Sequence, residues 1–367
     1  MPLFKKFNFP DLKLVSWYQR NKRDLPWRYQ PTPYKTWISE MMLQQTQVST
    51  VIPYFERFIK KFPDFTHLAR AKESNVLKLW SGLGYYSRAR NLHKAAQEIV
   101  QKYKNHLPET ENEILKLPGI GPYSAGAILS IAYHQPVPIL DGNVRRVFSR
   151  FFLENNIETI WKISESSVKT AFQQKCDPAD FNQALMELGA LICLPKNPNC
   201  SNCPIQADCN ANKKQVQNIY PSIKKRPKTI QKHYAIFILK NEQKPRFYLI
   251  QQRSQNEKWL KGLWEFPMFE LNSKEQNELK KNNFKFTAKY FLFQIKNLSF
   301  VHSFKHTITR HQLNISILSG TIKKLKTKNI KNSNPKWATL NQIKKESHSS
   351  IVKKAISLEF FSRVPHP

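Results

Sequence analysis

The sequence predicts a multidomain protein in which an all-α domain, residues 1–212, is followed by an α+β domain, residues 232–367. Its 367 residues are roughly two to three times the length of a typical domain. Apolar residues recur at helical spacing in the first part, whereas runs rich in β-branched and aromatic residues occur only in the second. Residues 213–231 are basic, contain two prolines and lack a periodic apolar face, which predicts a linker.

Short amphipathic helices are expected throughout the first domain, where no convincing strand pattern occurs. The i, i+3, i+4, i+7 spacing of one helix face is followed by Val144, Val147, Phe148 and Phe151. The segment 36–62 has apolar residues near the same spacing.

Strand-like runs begin after the linker, at residues 233–240, 246–253, 300–320 and 335–340. Their spacing predicts an antiparallel or mixed sheet in the second domain.

The charge of the chain is strongly positive, with 59 lysines and arginines against 26 aspartates and glutamates, a formal net charge of +33. This excess indicates a polyanionic partner, either nucleic acid or an anionic membrane, although a solvated Lys- and Asn-rich surface would account for part of it. No apolar run of ~18 residues occurs, and the N-terminal residues lack the apolar core of a secretion signal. We therefore expect a monomeric, nucleoid-associated cytoplasmic protein without a membrane partner.

Four of the five cysteines lie within seventeen residues, spaced Cys193-x6-Cys200-x2-Cys203-x5-Cys209. In a protein without a secretion signal such a group predicts a metal site rather than disulfides. Four thiolates suit a [4Fe-4S] cluster or a tetrahedral zinc ion, and the ligand type alone leaves both open. Structural zinc sites usually have two close pairs of ligands, whereas these spacings are graded.

Gly119 and Gly121 lie in a short turn between two apolar helical stretches within residues 115–133. Glycines permit close approach of the backbone, and the free amides at the start of the second helix attract phosphate without reading sequence. The pattern is that of a helix-hairpin-helix motif and predicts binding to the DNA backbone.

Asp141 follows the second hairpin glycine by twenty residues and precedes an amphipathic helix. It is expected to cap that helix, and the helix amides would keep its carboxylate ionised and oriented. A carboxylate in this state, placed beside a sugar, stabilises an oxocarbenium ion as a base leaves.

The hairpin, the aspartate and the cysteine loop together resemble the helix-hairpin-helix base-excision DNA glycosylases, which include endonuclease III. Within that superfamily four stretches resemble the MutY-type adenine DNA glycosylases, and they cover nearly the whole first domain: LPWR (25–28), SEMMLQQTQV (39–48), GLGYYSRARNLH (82–93) and LDGNV (140–144). The resemblance, combined with the graded spacing, favours a structural [4Fe-4S] cluster over zinc. It implies excision of adenine mispaired with 8-oxoguanine, or more weakly with guanine, in double-stranded DNA.

The resemblance also assigns chemical roles to two carboxyl groups. Glu40 lies beside Met41 and Met42, and an apolar setting raises the pKa of a carboxyl group so that it can protonate a leaving base. Asp141 would stabilise the cationic sugar, or bond to it transiently. A surface position on its helix is the alternative for Glu40.

Tyr123 occupies the position at which the bifunctional relatives carry a lysine that forms a Schiff base. The resemblance therefore implies a monofunctional enzyme, in which Tyr123 hydrogen-bonds near the carboxyl groups and Asn143 orients Asp141.

Base flipping requires residues that fill the gap in the duplex. By resemblance, Gln45 and Tyr85 insert there, and Leu43 lies beside them. Trp27 and Arg28 would form the edge of the adenine pocket. A core position is the alternative for Leu43 and Trp27.

The second domain resembles, more loosely, the C-terminal Nudix-like domain of the MutY-type enzymes. GLWEFP, 262–267, matches the opening of a Nudix loop, but the metal-binding glutamates are missing, so we do not expect nucleotide hydrolysis. The family's Phe-Ser-His lesion-reading segment aligns with residues 305–315, which places Thr309 at the serine and Arg310 at the histidine. An alignment on residues 304–306, or a plain hairpin, is the alternative.

Two rival functions share some of these features, a pyrimidine-specific glycosylase with lyase activity and a non-catalytic iron–sulfur DNA-binding module. Tyr123 and the glutamine-rich segment 43–47 argue against the first, and the pair Glu40 and Asp141 argues against the second. The linker is a candidate docking segment for repair or replication proteins.

Overall fold

The computed structural model of the protein describes residues 9–222, 228–291, 293–323 and 334–361. Contacts divide the described residues into two compact units, one within the ranges 1–71 and 87–225 and the other within 72–86 and 226–367. Strands occur, among the described residues, only between Ile230 and Thr339. The predicted fold class, a helical part followed by an α+β part, is therefore confirmed.

The helices before the sheet differ widely in length, and several begin at a side chain that caps the first turn, such as Thr32 and Asp141. They are α1 (Asp11–Asn21), α2 (Pro33–Leu43), α3 (Val48–Lys61), α4 (Phe65–Arg70), α5 (Glu73–Trp80), α6 (Tyr86–Lys102), α7 (Glu111–Ile114), α8 (Pro122–Tyr133), α9 (Gly142–Phe152), α10 (Ile157–Gln173), α11 (Pro178–Leu191) and α12 (Asn210–Lys213). Short 3-10 helices cover Pro26–Arg28 and Cys200–Asn202.

None of the helices in the described part of the chain combines the length and apolar character needed to cross a membrane.

The unit within residues 1–71 and 87–225 is called the helical unit below. One of its hydrophobic cores lies between α1, α9, α10 and α11. Its fully buried side chains include Leu14, Phe148, Phe181 and Leu188. The apolar face that the sequence predicts for α9 packs into this core. The start of α9, which Asp141 caps, therefore packs against α11.

The helical pattern of residues 36–62 is interrupted in the structure. Helix α2 ends at Leu43 and α3 begins at Val48, and between them Gln45 adopts a left-handed conformation with φ of 58°. A residue in this conformation ends an α-helix, because its backbone departs from right-handed geometry.

A mixed seven-stranded sheet forms the centre of the second unit, in the order β3-β2-β1-β6-β5, with β4 paired to β1 and β7 to β2. Its strands are β1 (Ile230–Asn241), β2 (Phe247–Gln252), β3 (Trp264–Glu265), β4 (Met268–Glu270), β5 (Lys296–Ile308), β6 (His311–Ile322) and β7 (Asn334–Thr339). Strands β1 and β6 are parallel, and the remaining pairs are antiparallel. The accompanying helices are α13 (Ser273–Lys280), α14 (Leu340–Lys345) and α15 (Ser350–Phe361), with a 3-10 helix at Lys285–Lys289.

Strand β1 is the buried centre of this sheet. Alternate residues such as Ile236 and Ile238 pack into one hydrophobic cluster, while Phe237 and Leu239 pack into a second cluster on the opposite face. A strand covered on both faces has a continuous apolar sequence, which explains the uninterrupted run in residues 234–239.

The predicted linker, 213–231, is described in part. Residues 223–227 lie outside the described residues, and β1 begins at Ile230. The carbonyl oxygen of Tyr220 accepts a 2.9 Å hydrogen bond from Nε of Arg150. The first half of this segment therefore packs on the helical unit.

Candidate active site

A cavity of about 590 Å³ in the helical unit brings together residues that lie far apart in the sequence. Seven residues predicted from the sequence line it: Trp27, Arg28, Glu40, Leu43, Tyr123, Asp141 and Asn143. The described residues that line this cavity do not include Gln45, Tyr85 or Thr309. The candidates for the chemistry and for the adenine pocket thus share one site in the helical unit, together with Leu43.

Glu40 lies in α2 and is only 5% exposed. The hydroxyl of Tyr123 donates a 2.7 Å hydrogen bond to Oε2 of Glu40. Burial raises the pKa of Glu40 to about 7, and the charge of Asp141 adds to this rise, while the Tyr123 hydrogen bond and the charge of Arg28 oppose it. Glu40 can therefore carry or release a proton near neutral pH.

Asp141 caps α9 and is held at both carboxyl oxygens. Oδ1 accepts a 2.7 Å hydrogen bond from the amide of Val144, and Oδ2 accepts a 2.9 Å hydrogen bond from Nδ2 of Asn143. Burial raises the pKa of Asp141, and these hydrogen bonds counteract the rise because they stabilise the charged form. The helix-capping and the proposed catalytic orientation are therefore compatible.

Arg146 links this aspartate to the cysteine loop. Its Nη2 donates to Oδ1 of Asn143 at 3.0 Å and to the carbonyl oxygen of Gly189 at 2.6 Å, and its Nε donates to the carbonyl oxygen of Cys193 at 2.7 Å. A Cβ at Gly189 would lie 2.5 Å from Cβ of Asn143, so α9 and α11 approach more closely here than a larger residue allows. The sequence pattern of α9 provides no direct signal for this role of Arg146.

The glycine turn sets the position of Tyr123 at the start of α8. Gly119 has φ of 82°, and a Cβ there would lie 2.8 Å from Cβ of Asn91. Gly121 is the N-cap of α8, and a Cβ there would meet nothing within 4 Å. The turn thus requires glycine at position 119, while position 121 leaves open space before the helix amides.

Arg28 is oriented by a residue that the sequence analysis missed. Glu187, in α11, accepts a 3.0 Å hydrogen bond from Nη2 of Arg28 and a 2.8 Å hydrogen bond from Nε of Arg23. Burial alone would raise the pKa of Glu187, but the hydrogen bonds from both arginines hold it at about 2. In the sequence, Glu187 is marked only by its position between two apolar residues, Leu185 and Leu188. The structure shows that both leucines are buried.

Trp27 and Leu43 both line the cavity but differ in burial. Trp27 is buried and packs edge-on against Phe55, with ring centroids 5.5 Å apart. Leu43 is the last residue of α2 and is half-buried. Trp27 therefore serves both as core and as cavity wall.

Gln45 and Tyr85 are exposed and have left-handed backbones, with φ of 58° and 47°. Thr309 also has positive φ, 52°, in the two-residue turn between β5 and β6, and its Oγ1 lies 3.5 Å from Nδ1 of His311. This conformation is rare for non-glycine residues and rarest for β-branched ones. All three positions are strained points on the molecular surface, where binding residues often lie.

The four cysteines, all of them free, line one small cavity. Among the described residues, no group of three or more His, Cys, Asp or Glu side chains has the arrangement of a metal site. Nη1 of Arg150 donates to Sγ of Cys193 at 3.3 Å, and burial raises the pKa of Cys203 to about 12. Four cysteine thiols that line one cavity match, in kind and number, the ligands of a thiolate-bound cluster.

Comparisons with known proteins identify the family. Residues 38–177 match the family model described as "HhH-GPD superfamily base excision DNA repair protein". The adenine DNA glycosylase of Buchnera aphidicola subsp. Baizongia pistaciae is 39% identical over 340 residues, which are 89% of this chain and 90% of that protein. The adenine DNA glycosylase of Mus musculus is 47% identical over 210 residues, 54% of this chain and 41% of that protein.

A solved structure of a thermostable thymine-DNA glycosylase has a TM-score of 0.50 and 27% identity, over 56% of this chain and 95% of that one. The alignment with the Buchnera protein is too long to be confined to the helical part, so the similarity extends into the sheet. The predicted resemblance is thereby confirmed, and the chain belongs to the adenine DNA glycosylase family of the HhH-GPD superfamily.

Proposed function

We propose that this chain is a monofunctional adenine DNA glycosylase that removes adenine mispaired with 8-oxoguanine or guanine and leaves an abasic site. The observation that carries this proposal is the meeting of Glu40, Tyr123 and Asp141 in one cavity, with Glu40 buried and its pKa raised to about 7. Family membership supplies adenine as the base.

Binding begins with the DNA backbone. The turn from Gly119 to Gly121 presents the free amides of α8 to a phosphate, which fixes the protein on the duplex without reading its sequence. Gln45 and Tyr85 then occupy the space that the adenine leaves as it flips. The flipped base enters the cavity beside Trp27 and Arg28.

The two carboxyl groups divide the hydrolysis between them. Protonated Glu40 donates its proton to a ring nitrogen of adenine, and the electrons of the bond between C1′ and the base leave with the base. Ionised Asp141 stabilises the oxocarbenium ion that forms at the sugar. Water then bonds to C1′, and the ionised Glu40 accepts the proton that this water releases.

Tyr123 determines what happens after the base has left. A lyase needs an amine that attacks C1′ and forms a Schiff base, whereas a phenol hydrogen-bonded to Glu40 cannot supply one. We therefore expect an intact strand with an abasic site as the product.

The cysteine loop would hold a [4Fe-4S] cluster through the sulfurs of Cys193, Cys200, Cys203 and Cys209. When bound, the cluster would contribute folding energy by joining the chain segments that carry the four cysteines. Arg150, which donates to Sγ of Cys193, would stabilise the thiolate charge.

Thr309 would read the 8-oxoguanine opposite the adenine. Thr309 lies at the tip of the hairpin between β5 and β6 and is exposed there, so its hydroxyl would hydrogen-bond to the lesion. The proposal predicts a loss of preference for 8-oxoguanine over guanine when this hydroxyl is removed.

The decisive experiment is a single-turnover assay on a duplex with one central adenine opposite 8-oxoguanine, with the products analysed before and after hot alkali. The proposal predicts a strand break at the adenine only after alkali, and no break with Glu40→Gln, which should still bind the duplex. A break without alkali would establish a lyase. Unchanged excision by Glu40→Gln would exclude the proposed acid.

A further inference from the structure

The buried guanidinium of Arg88, in the first turn of α6, organises the turn that separates α2 from α3. Its Nη1 donates to the carbonyl oxygens of Met41 at 3.0 Å, Met42 at 2.9 Å and Gln44 at 2.5 Å, and its Nη2 donates to Oγ1 of Thr46 at 3.1 Å. Helix α2 therefore ends on a cation, which satisfies carbonyl oxygens that a helix C-terminus leaves without backbone partners.

Two further hydrogen bonds hold the same turn. Nε2 of Gln44 donates to Oγ of Ser124 in α8 at 3.0 Å, and the amide of Thr46 donates to the carbonyl oxygen of Leu43 at 3.1 Å. Between these fixed points Gln45 is exposed and left-handed, with φ of 58°. A non-glycine residue persists in this conformation where its surroundings determine it strongly.

We propose that Arg88 is a positioning residue for base flipping, which holds Gln45 in the conformation that enters the duplex. This inference rests on the proposed function, because Gln45 has a role only if an adenine leaves the stack. The planar fork of arginine reaches the helix end and Thr46 at once, which the single ammonium of a lysine cannot do.

Arg88 binds the C-terminal end of α2, the helix that carries Glu40, so a purely structural role and a role in insertion must be separated. Loss of a structural support would disturb the Glu40 pocket and would slow excision from every substrate. Loss of the insertion turn would slow excision only where the adenine must be pulled from a stable stack, because unstacking costs least in DNA that is already unpaired.

The test compares two duplexes with a central adenine opposite 8-oxoguanine, one fully paired on both sides and one with mismatched neighbouring pairs. Single-turnover excision is measured for the full chain and for Arg88→Lys, Thr46→Val and Lys94→Met. Thr46→Val removes the hydroxyl that accepts from Arg88 and donates to the carbonyl oxygen of Gln44 at 3.4 Å, while Arg88 stays in place. Lys94→Met is the matched control, since Lys94 is an exposed cation on the same helix.

Arg88→Lys should slow excision from the paired duplex by about 100-fold, the loss expected from a misplaced group, and from the mismatched duplex by only about threefold. The pH midpoint of the rate should not move. Thr46→Val should show the same pattern with a smaller loss, and Lys94→Met should match the unaltered chain.

Equal loss on both duplexes, or a shifted pH midpoint, would assign Arg88 to the Glu40 pocket and overturn the proposal. Unimpaired excision from the paired duplex by Arg88→Lys and Thr46→Val would also overturn it. Failure of the unaltered chain to excise adenine from either duplex would refute the proposed function, and the role of Arg88 with it.

Discussion

The phenol of Tyr123 donates a 2.7 Å hydrogen bond to Oε2 of Glu40, although the two residues are 83 positions apart in the sequence. This bond stabilises the ionised carboxylate, so it lowers the pKa of Glu40 against the effect of burial. The pH at which the proposed acid loses its proton therefore depends on Tyr123.

Excision should be fastest below pH 7 and should fall above it, because Glu40, with a pKa of about 7, acts in its protonated form. Tyr123→Phe removes a hydrogen bond to a charged group, so the pKa of Glu40 should rise and the falling limb should move to higher pH by roughly one unit. Single-turnover rates across the pH range measure this shift. A limb that moves to lower pH, or does not move, would contradict the assignment.

Asn143→Ala should lower the single-turnover rate by roughly 100-fold, because Oδ2 of Asp141 loses the 2.9 Å hydrogen bond that orients it. Binding to a duplex with an uncleavable adenine analogue should stay within about threefold, since Asn143 acts on the chemical step. A loss that appears only in binding would show that Asn143 contacts DNA instead.

The two hairpin glycines should differ in what they contribute. Gly119→Ala should lower the free energy of unfolding by about 1–3 kcal/mol, because φ of 82° is strained for alanine and its Cβ would meet Asn91. Gly121→Ala should leave stability nearly unchanged and weaken DNA binding, since its Cβ would project into open space before the helix amides. Denaturant unfolding and binding assays on both variants provide the comparison, and equal destabilisation would reject it.

Removal of the Thr309 hydroxyl should lower the preference for 8-oxoguanine without lowering the stability of the protein. Thr309→Gly relieves the strain of φ at 52°, so thermal stability should be equal or higher, while the preference for 8-oxoguanine over guanine should fall. Thr309→Ser should keep the preference. Rates on the two mispairs measure it, and a parallel loss on both would place the lesion contact elsewhere.

Cys203→Ser should remove most of the iron, from about four atoms per chain, together with the visible absorbance and a large part of the thermal stability. Cys176→Ser is the matched control, because Cys176 is buried outside the four-cysteine cavity, and its iron content should not change. Zinc in place of iron in the purified chain would favour the alternative that the ligand type left open.

Much of the site could be named from residues alone. Glu40, Asp141 and Tyr123 lie in short motifs, and the apolar faces of the helices beside them can be recognised from the spacing of apolar residues. Glu187 and Arg146 could not be found in this way, because each is an ordinary charged residue on an amphipathic helix. Arg146 meets its partners only when α9 and α11 pack together, and Glu187 meets Arg23 and Arg28 only when α11 packs beside the segment between α1 and α2.

The interruption of the helix at Gln45 shows that sequence patterns also fail to predict some backbone conformations. Residues 36–62 have a helical pattern throughout, yet a cation on α6 and a serine on α8 hold the turn that ends α2. Local periodicity reports which residues face a core, and it contains no information on a distant side chain that stabilises a left-handed residue.

The sequence by itself determined the order of the two fold classes, the family and the residue types available for catalysis, because periodicity and motifs are local properties of a chain. Only the tertiary structure decided which of these residues meet, that burial brings the pKa of Glu40 to about 7, and that β1 runs parallel to β6. The physical reason is that desolvation and hydrogen bonding depend on distances between atoms, and packing sets those distances between residues that the sequence keeps far apart.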